Sequence, residues 1–272
     1  MQIQFFDANS APALRLCARV LNEGVVPADL EPQLAEAARM ARFSGKAGQL
    51  FEGFAERGGQ LVRVALAGLG KPDAPDRAAA IEKAGAGLVA KYLTSGEEAI
   101  LVDLTGAGLS ANEAADLLLG ARLRGWRHDV YRTKLPDDRK PTLKRIAVLG
   151  APEGTRDAWA AQEAVAAGTE FTRELVTEPA NAIYPESFVE RCRARMEGTG
   201  LSLRVLDREE MAALGMGALL GVAQGSAREP RMLVMEWNGG TAGDAPRPLG
   251  PEGGKVGTPR ISPQPAPGKA EQ

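Results

Sequence analysis

Leu61-Val62-Arg63-Val64-Ala65-Leu66-Ala67-Gly68, then a helical pattern from Arg77 to Leu93, then Ala99-Ile100-Leu101-Val102-Asp103-Leu104, decide the fold class. The first run is short and apolar, and Gly68-Leu69-Gly70-Lys71-Pro72 ends it, so it predicts a strand closed by a turn. Ile81, Ala84, Leu88 and Tyr92 then recur at helical spacing. The run from Ala99 to Leu104 predicts a second strand. Ser110-Ala111-Asn112-Glu113 has the form of a capping box and opens a helix through Leu117, Ala121 and Leu123. Arg145-Ile146-Ala147-Val148-Leu149-Gly150 is a further strand. Strand and helix in alternation predict an α/β layered domain on a mostly parallel or mixed sheet.

Working outward, Thr155 to about Val176 reads as a long Ala-rich helix with Trp159, Ala166 and Phe171 on its apolar side. Its length and place predict a linker helix between domains. Glu178-Pro179 stops it, because a residue before proline is pushed out of the α region. A helix over Pro185 to Met196 follows, then a strand Ser202-Leu203-Arg204-Val205-Leu206. Asp207 caps a short helix to Leu214, and Met232-Leu233-Val234-Met235-Glu236-Trp237 is a strand running into the turn Asn238-Gly239-Gly240. From Gly239 to Gln272 nearly half the residues are Gly or Pro and no aliphatic pattern persists, which predicts a disordered tail. The expected division is an N-terminal α/β domain over 1–154, a linker helix over 155–178, an incomplete α/β domain over 179–239 and the tail over 240–272.

Composition narrows the function classes. Of 272 residues, 44% are hydrophobic and 25% charged, ordinary for a globular chain. A net charge of −2 gives no electrostatic case for nucleic acid or an anionic membrane. No apolar run reaches the roughly 20 residues of a membrane span. Met1-Gln2-Ile3-Gln4-Phe5-Phe6-Asp7 has neither a basic nor an apolar signal region, so no secretory leader is expected and the cytoplasm is the expected compartment. Cys17 and Cys192, in segments read as helical or mixed, are expected as free thiols, a disulfide being the alternative. With His128 as the sole histidine, His-rich zinc sites and Ser-His-Asp triads are close to excluded. Metal chemistry would fall to carboxylates and other oxygen donors.

Three local motifs carry little. Gly215-x-Gly217-x-x-x-Gly221 lacks the glycine that a dinucleotide fingerprint needs at Leu220. Gly70-Lys71 fails as a phosphate loop because Pro72 stands where Ser or Thr belongs. Arg122, Arg124, Arg127 and Arg132 gather near Trp126 and Tyr131, a basic-aromatic patch better read as a solvated helix face than as a nucleic-acid surface.

The specific signal lies in Arg173-Glu174-Leu175-Val176-Thr177-Glu178-Pro179-Ala180-Asn181, in Tyr184-Pro185-Glu186 and in Gly215 through Ser226. With Arg228-Glu229-Pro230-Arg231 entering the last strand, these resemble the leucyl aminopeptidase (cytosol aminopeptidase) family. Gly68-Leu69-Gly70-Lys71-Pro72 and Gly120-Ala121-Arg122-Leu123-Arg124-Gly125-Trp126 are similar to that family's N-terminal domain. The resemblance implies an N-terminal α/β domain, a linker helix and the start of a catalytic domain. It also implies a cytoplasmic hexamer that removes N-terminal residues from peptides, using two divalent metal ions, Mn or Zn.

In that family the next strand enters a Gly-Lys-Gly-x-x-Phe-Asp-(Ser/Thr)-Gly-Gly-Ile-Ser-Ile-Lys segment. Its first lysine and aspartate bind metal and its second lysine assists catalysis. A later Asn-Thr-Asp-Ala-Glu-Gly-Arg segment adds two carboxylates and an arginine. Two cations a few Å apart need that many hard donors to hold a bridging water. Here Gly254-Lys255-Val256-Gly257 puts Arg260 where the aspartate belongs, whereas anchoring on Ile261-Ser262 puts Gly257 there and Gln264 at the second lysine. Lys255 is the single conceivable metal ligand carried over, and no catalytic residue is. The expectation is a truncated or frame-shifted member of the family, inactive as it stands. The alternative is a non-catalytic binding or assembly module, conceivably a DNA-binding regulator, which the charge disfavours.

Overall fold

The computed structural model describes residues 1–239. Expectations placed on residues 240–272, the disordered tail and Lys255 among them, lie outside the described residues. The described chain forms two compact units, Met1–Pro179 and a second that begins at Ala180.

The first unit is built on a six-stranded sheet in the order β1-β6-β5-β2-β4-β3. The strands are β1 (Gln2–Phe6), β2 (Leu16–Asn22), β3 (Leu50–Arg57), β4 (Gln60–Gly70), β5 (Ala99–Asp103) and β6 (Arg145–Leu149). All neighbours pair in parallel except β3, which runs antiparallel beside β4 at one edge. The mixed, parallel-dominated α/β sheet is the class that the alternating pattern predicts. Helices α2 (Arg77–Tyr92) and α3 (Ala111–Gly125) cover one face, and α1 (Pro32–Met40) packs on the other.

Why β2 escapes a sequence reading is plain in its burial. All of Leu16 to Leu21 is buried, Arg19 included, so the strand has no alternation of apolar and polar residues. A continuous short apolar run does not tell strand from helix. Cys17, expected in a helical or mixed segment, sits in this central strand, while Cys192 lies on a helix, and both are free. Burial pushes both thiols up from their ordinary titration range, so neither is poised as a nucleophile.

The core on the helix face joins Leu16, Ile81, Leu88, Ile100, Leu117 and Ile146. Ser110 caps α3 as its sequence predicts: the Glu113 N–H donates to Ser110 Oγ at 3.3 Å, and the Ser110 N–H donates to Glu113 Oε2 at 2.8 Å. Arg77 at the start of α2 pairs with the same Glu113, tying the two helix N-termini together.

Helix α4 (Thr155–Thr177) belongs to this first unit. Trp159 is 5% exposed and sits in the helix-face core. Gln162 donates to Asp116 at 2.8 Å, and Arg122 reaches Glu163 at 2.7 Å and Glu170 at 3.1 Å. The helix anticipated as a linker is thus held along its length by α3.

The second unit holds α5 (Pro185–Met196), β7 (Ser202–Leu206), α6 (Arg208–Ala213), α7 (Gly217–Ala223) and β8 (Met232–Glu236). β7 and β8 form an antiparallel two-stranded sheet, with Leu206 opposite Met232. Asp207 caps α6 by accepting from the Glu210 N–H at 2.9 Å, so Asp207→Ala is expected to cost about 1 kcal/mol in chemical denaturation.

Candidate functional site

The family-like segment begins where α4 ends, and there the first unit builds a compact polar-aromatic cluster. Glu178 caps α4 in an extended conformation, forced out of the helix by Pro179. Its carboxylate is only 6% exposed. The Tyr131 hydroxyl donates to Glu178 Oε2, and the imidazole Nε2 of His128 lies 4.0 Å from Glu178 Oε1. His128 stacks on Trp126 at 6.2 Å between centroids and meets Tyr131 edge-on at 5.8 Å. Its Nε2 is buried without a hydrogen-bond partner. Across the same corner, the Arg173 guanidinium lies 5.9 Å from the Trp126 ring centroid and donates to the Leu123 carbonyl at 2.7 Å. That contact satisfies an open carbonyl in the last turn of α3.

The basic-aromatic patch largely neutralises itself. Arg122 is committed to Glu163 and Glu170, while Arg127 and Arg132 both face Asp129. The Arg127 hydrogen bond holds the Asp129 carboxyl below its usual range. Three of the four arginines of the patch, Arg122, Arg127 and Arg132, are thus held by carboxylates of the first unit.

The second unit carries the rest of the family-like residues. The Tyr184 N–H donates to Ser187 Oγ at 3.0 Å, and that hydroxyl donates to the Ala182 carbonyl at 3.0 Å, fixing the turn that opens α5 at Pro185. Arg228 lies over the Tyr184 ring at 4.0 Å, a close cation–π contact that binds the Arg228-Glu229-Pro230-Arg231 segment to the start of α5. Glu229 accepts from Arg208 at 3.1 Å. Glu186 has one carboxylate oxygen, Oε2, buried without a hydrogen-bond partner. No residue of α7 is buried: Leu219 is 43% and Val222 88% exposed.

Among the described residues there is no group of three or more His, Cys, Asp or Glu placed to hold a metal ion. A two-metal centre needs more hard donors than that, so the described residues do not fit such a centre. Lys255, the metal ligand suggested by sequence, lies outside the described residues. The His128–Glu178 approach brings together residues 50 positions apart, and no local period marks it. The buried Glu186 oxygen is equally silent in sequence.

These elements define an α/β chain that carries peptidase-like segments around the end of α4 and the start of α5. The N-terminal domain model of the cytosol aminopeptidase family matches residues 17–135, and that family's catalytic domain model matches residues 170–249. A probable cytosol aminopeptidase of Rhizobium etli is 38% identical over 248 residues, spanning 90% of this chain and 50% of the relative. Another, from Rhodopseudomonas palustris, is 40% identical, spanning 77% of this chain and 42% of the relative. Among solved structures, a tomato leucine aminopeptidase mutant matches with a TM-score of 0.69 and 25% identity, covering 86% of this chain and 50% of that one. The bottromycin maturation enzyme BotP, in complex with Mn, matches with a TM-score of 0.65 and 27% identity, covering 82% of this chain and 45% of that one. The chain belongs to the cytosol aminopeptidase family. It spans about half the length of the curated relatives it matches.

Proposed function

We propose that this chain supplies the N-terminal domain and the opening elements of the catalytic domain of a cytosol aminopeptidase. The whole enzyme would hydrolyse N-terminal residues from peptides with two divalent metal ions, Mn or Zn, in the cytoplasm and as a hexamer. Support comes from the two family matches, over residues 17–135 and 170–249, and from relatives of about twice its length.

The 272-residue chain on its own is proposed to be inactive. The carrying observation is the donor set: the described residues gather no metal-binding cluster, and neither register of the 254–264 segment supplies a carboxylate. Purified chain with added Mn²⁺ or Zn²⁺ is therefore expected to release no p-nitroaniline from leucine p-nitroanilide above the metal-only blank. Turnover that vanishes on chelation would overturn this.

A second reading, that the chain acts as an assembly module without catalysis, is favoured by exposed apolar surface in the second unit. Met235 is 53%, Trp237 70% and Val222 88% exposed. A contiguous patch of such residues would mark an association site, whereas apolar residues exposed singly are ordinary. A DNA-binding version would show a salt-dependent shift of duplex DNA; no shift at low salt would remove it.

A further inference from the structure

Among the described residues, three buried side-chain atoms have no hydrogen-bond partner: Arg19 Nε, Glu186 Oε2 and His128 Nε2. Arg19 still uses its other two nitrogens, on Asp29 and the Thr105 carbonyl. His128 differs because an acceptor stands just out of reach of its orphan nitrogen. Glu178 Oε1 lies 4.0 Å from Nε2, about 1 Å beyond a hydrogen bond. The two side chains are only 9% and 6% exposed. A buried N–H this close to a carboxylate would close onto it, whereas a bare lone pair is held off. The gap fits a neutral ring with its proton on Nδ1.

The surroundings decide what a second proton would meet. The Tyr131 hydroxyl donates to the other carboxylate oxygen, Oε2, and so does not occupy Oε1. Asp129, next in sequence, is acidic too, but Arg127 at 2.7 Å and Arg132 at 3.5 Å hold it. From α4, Arg173 opposes a positive imidazole: its guanidinium lies 5.9 Å from the centroid of the Trp126 ring on which His128 stacks. Trp126 and Tyr131 enclose the imidazole, which limits screening by solvent and strengthens any charge pair formed there.

We propose that His128 and Glu178 form a proton-operated latch on the C-terminal end of α4. In acid, Nε2 takes a proton from solvent and becomes a donor, and the imidazolium closes onto Glu178 Oε1 in a charge-assisted hydrogen bond. In base the proton returns to solvent and the contact opens to the gap seen here. The latch joins the loop after α3 to the residue that caps α4, just ahead of Pro179. Because the bond exists only with the proton, its contribution to stability is present in acid and lost as pH rises through the imidazole range, about pH 5–8. The latch rests on this corner alone and stands whether or not the chain hydrolyses peptides.

His128 is the sole histidine, so NMR of the full 272-residue chain follows its ring nitrogens unambiguously. Above the imidazole range, Nε2 is expected at the shift of a bare acceptor, and below it at that of a slowly exchanging N–H. Glu178→Gln keeps the side-chain shape but removes its charge, and is expected to weaken proton uptake by His128 about tenfold or more. Hydrogen exchange gives a second reading. The Glu178 N–H donates to the Glu174 carbonyl at 3.1 Å in the last turn of α4. Corrected for intrinsic pH dependence, it is expected to be severalfold better protected at about pH 5 than at about pH 8. His128→Asn and Glu178→Gln should each remove that difference with the circular dichroism spectrum unchanged, and the wild-type readings alone decide if neither variant folds. An Nε2 that carries its proton in base, undiminished proton uptake in folded Glu178→Gln, or protection of the Glu178 N–H that ignores pH would each overturn the proposal.

Discussion

Gly85→Ala is expected to unfold the first unit or leave it at least about 3 kcal/mol less stable, the upper range for overpacking a tight core. A β-carbon at Gly85 would be driven into the backbone carbonyl oxygen of Leu117, and one at Gly120 into that of Glu82. Both obstacles are helix backbone, which cannot swing aside as a long side chain can. The two glycines therefore let α2 and α3 cross at close range, and the core around Ile81, Ala84, Leu88, Leu117 and Leu118 depends on that approach. In an exposed helix interior the same exchange would stabilise slightly, because alanine is the better helix former. Gly87, on the same helix with nothing within 4 Å of an added β-carbon, supplies that control. Urea denaturation followed by circular dichroism should show Gly87→Ala neutral or slightly stabilising, and Gly85→Ala and Gly120→Ala severely destabilising. Equal midpoints for Gly85→Ala and wild type would mean that the helices are not in close contact.

Local order was legible wherever one element's residues fix it by themselves. Ser110 and Glu113 announce the start of α3, and their reciprocal hydrogen bonds are present. Asp207 announces α6 in the same way. The alternation of β4, α2, β5, α3 and β6 was legible too, because short apolar runs bounded by turn residues stand between segments of helical spacing. The features that sequence did not show are long-range. β1 and β2 enter the same sheet as β6 and β5, although about 140 and 80 positions separate the paired residues, and nothing local encodes such pairing. Arg19 in β2 would argue against a buried strand, yet it is only 7% exposed because Asp29 at 2.7 Å and the Thr105 carbonyl at 3.3 Å receive its guanidinium. At the candidate site, the Glu178-Pro179 helix stop was readable from the residue before proline. The burial of the Glu178 carboxylate against Tyr131 and His128 was not, since it depends on how the ends of α3 and α4 converge.

Trp159→Ala is expected to cost about 3–5 kcal/mol, the range for removing a large buried aromatic side chain. The indole is 5% exposed and joins the core otherwise made by α2, α3 and the sheet. Its loss opens a cavity where α4 meets that core, and the flanking polar contacts do not compensate. Arg122 reaches the half-exposed Glu163 in a pair of about 0–1 kcal/mol, and grips Glu170 with two hydrogen bonds at 3.1 Å, a firmer contact that still falls short of a fully buried aromatic anchor. A single buried anchor therefore outweighs the whole ion-pair ladder along α3 and α4. Val165 lies on the same helix at 55% exposure, and Val165→Ala is expected to change stability by less than about 0.5 kcal/mol. The contrast discriminates between a helix that belongs to the first unit and one that is merely a tether leaving it. If α4 were a free connector, Trp159→Ala and Val165→Ala would have similarly small effects, and amides after Thr155 would exchange with solvent long before those of α3. If α4 is integral, Trp159→Ala lowers the midpoint of the whole first unit, and hydrogen exchange in α3 and α4 rises together. The second outcome is expected, because Trp159, Gln162 and Arg173 all make their contacts with the core or with α3.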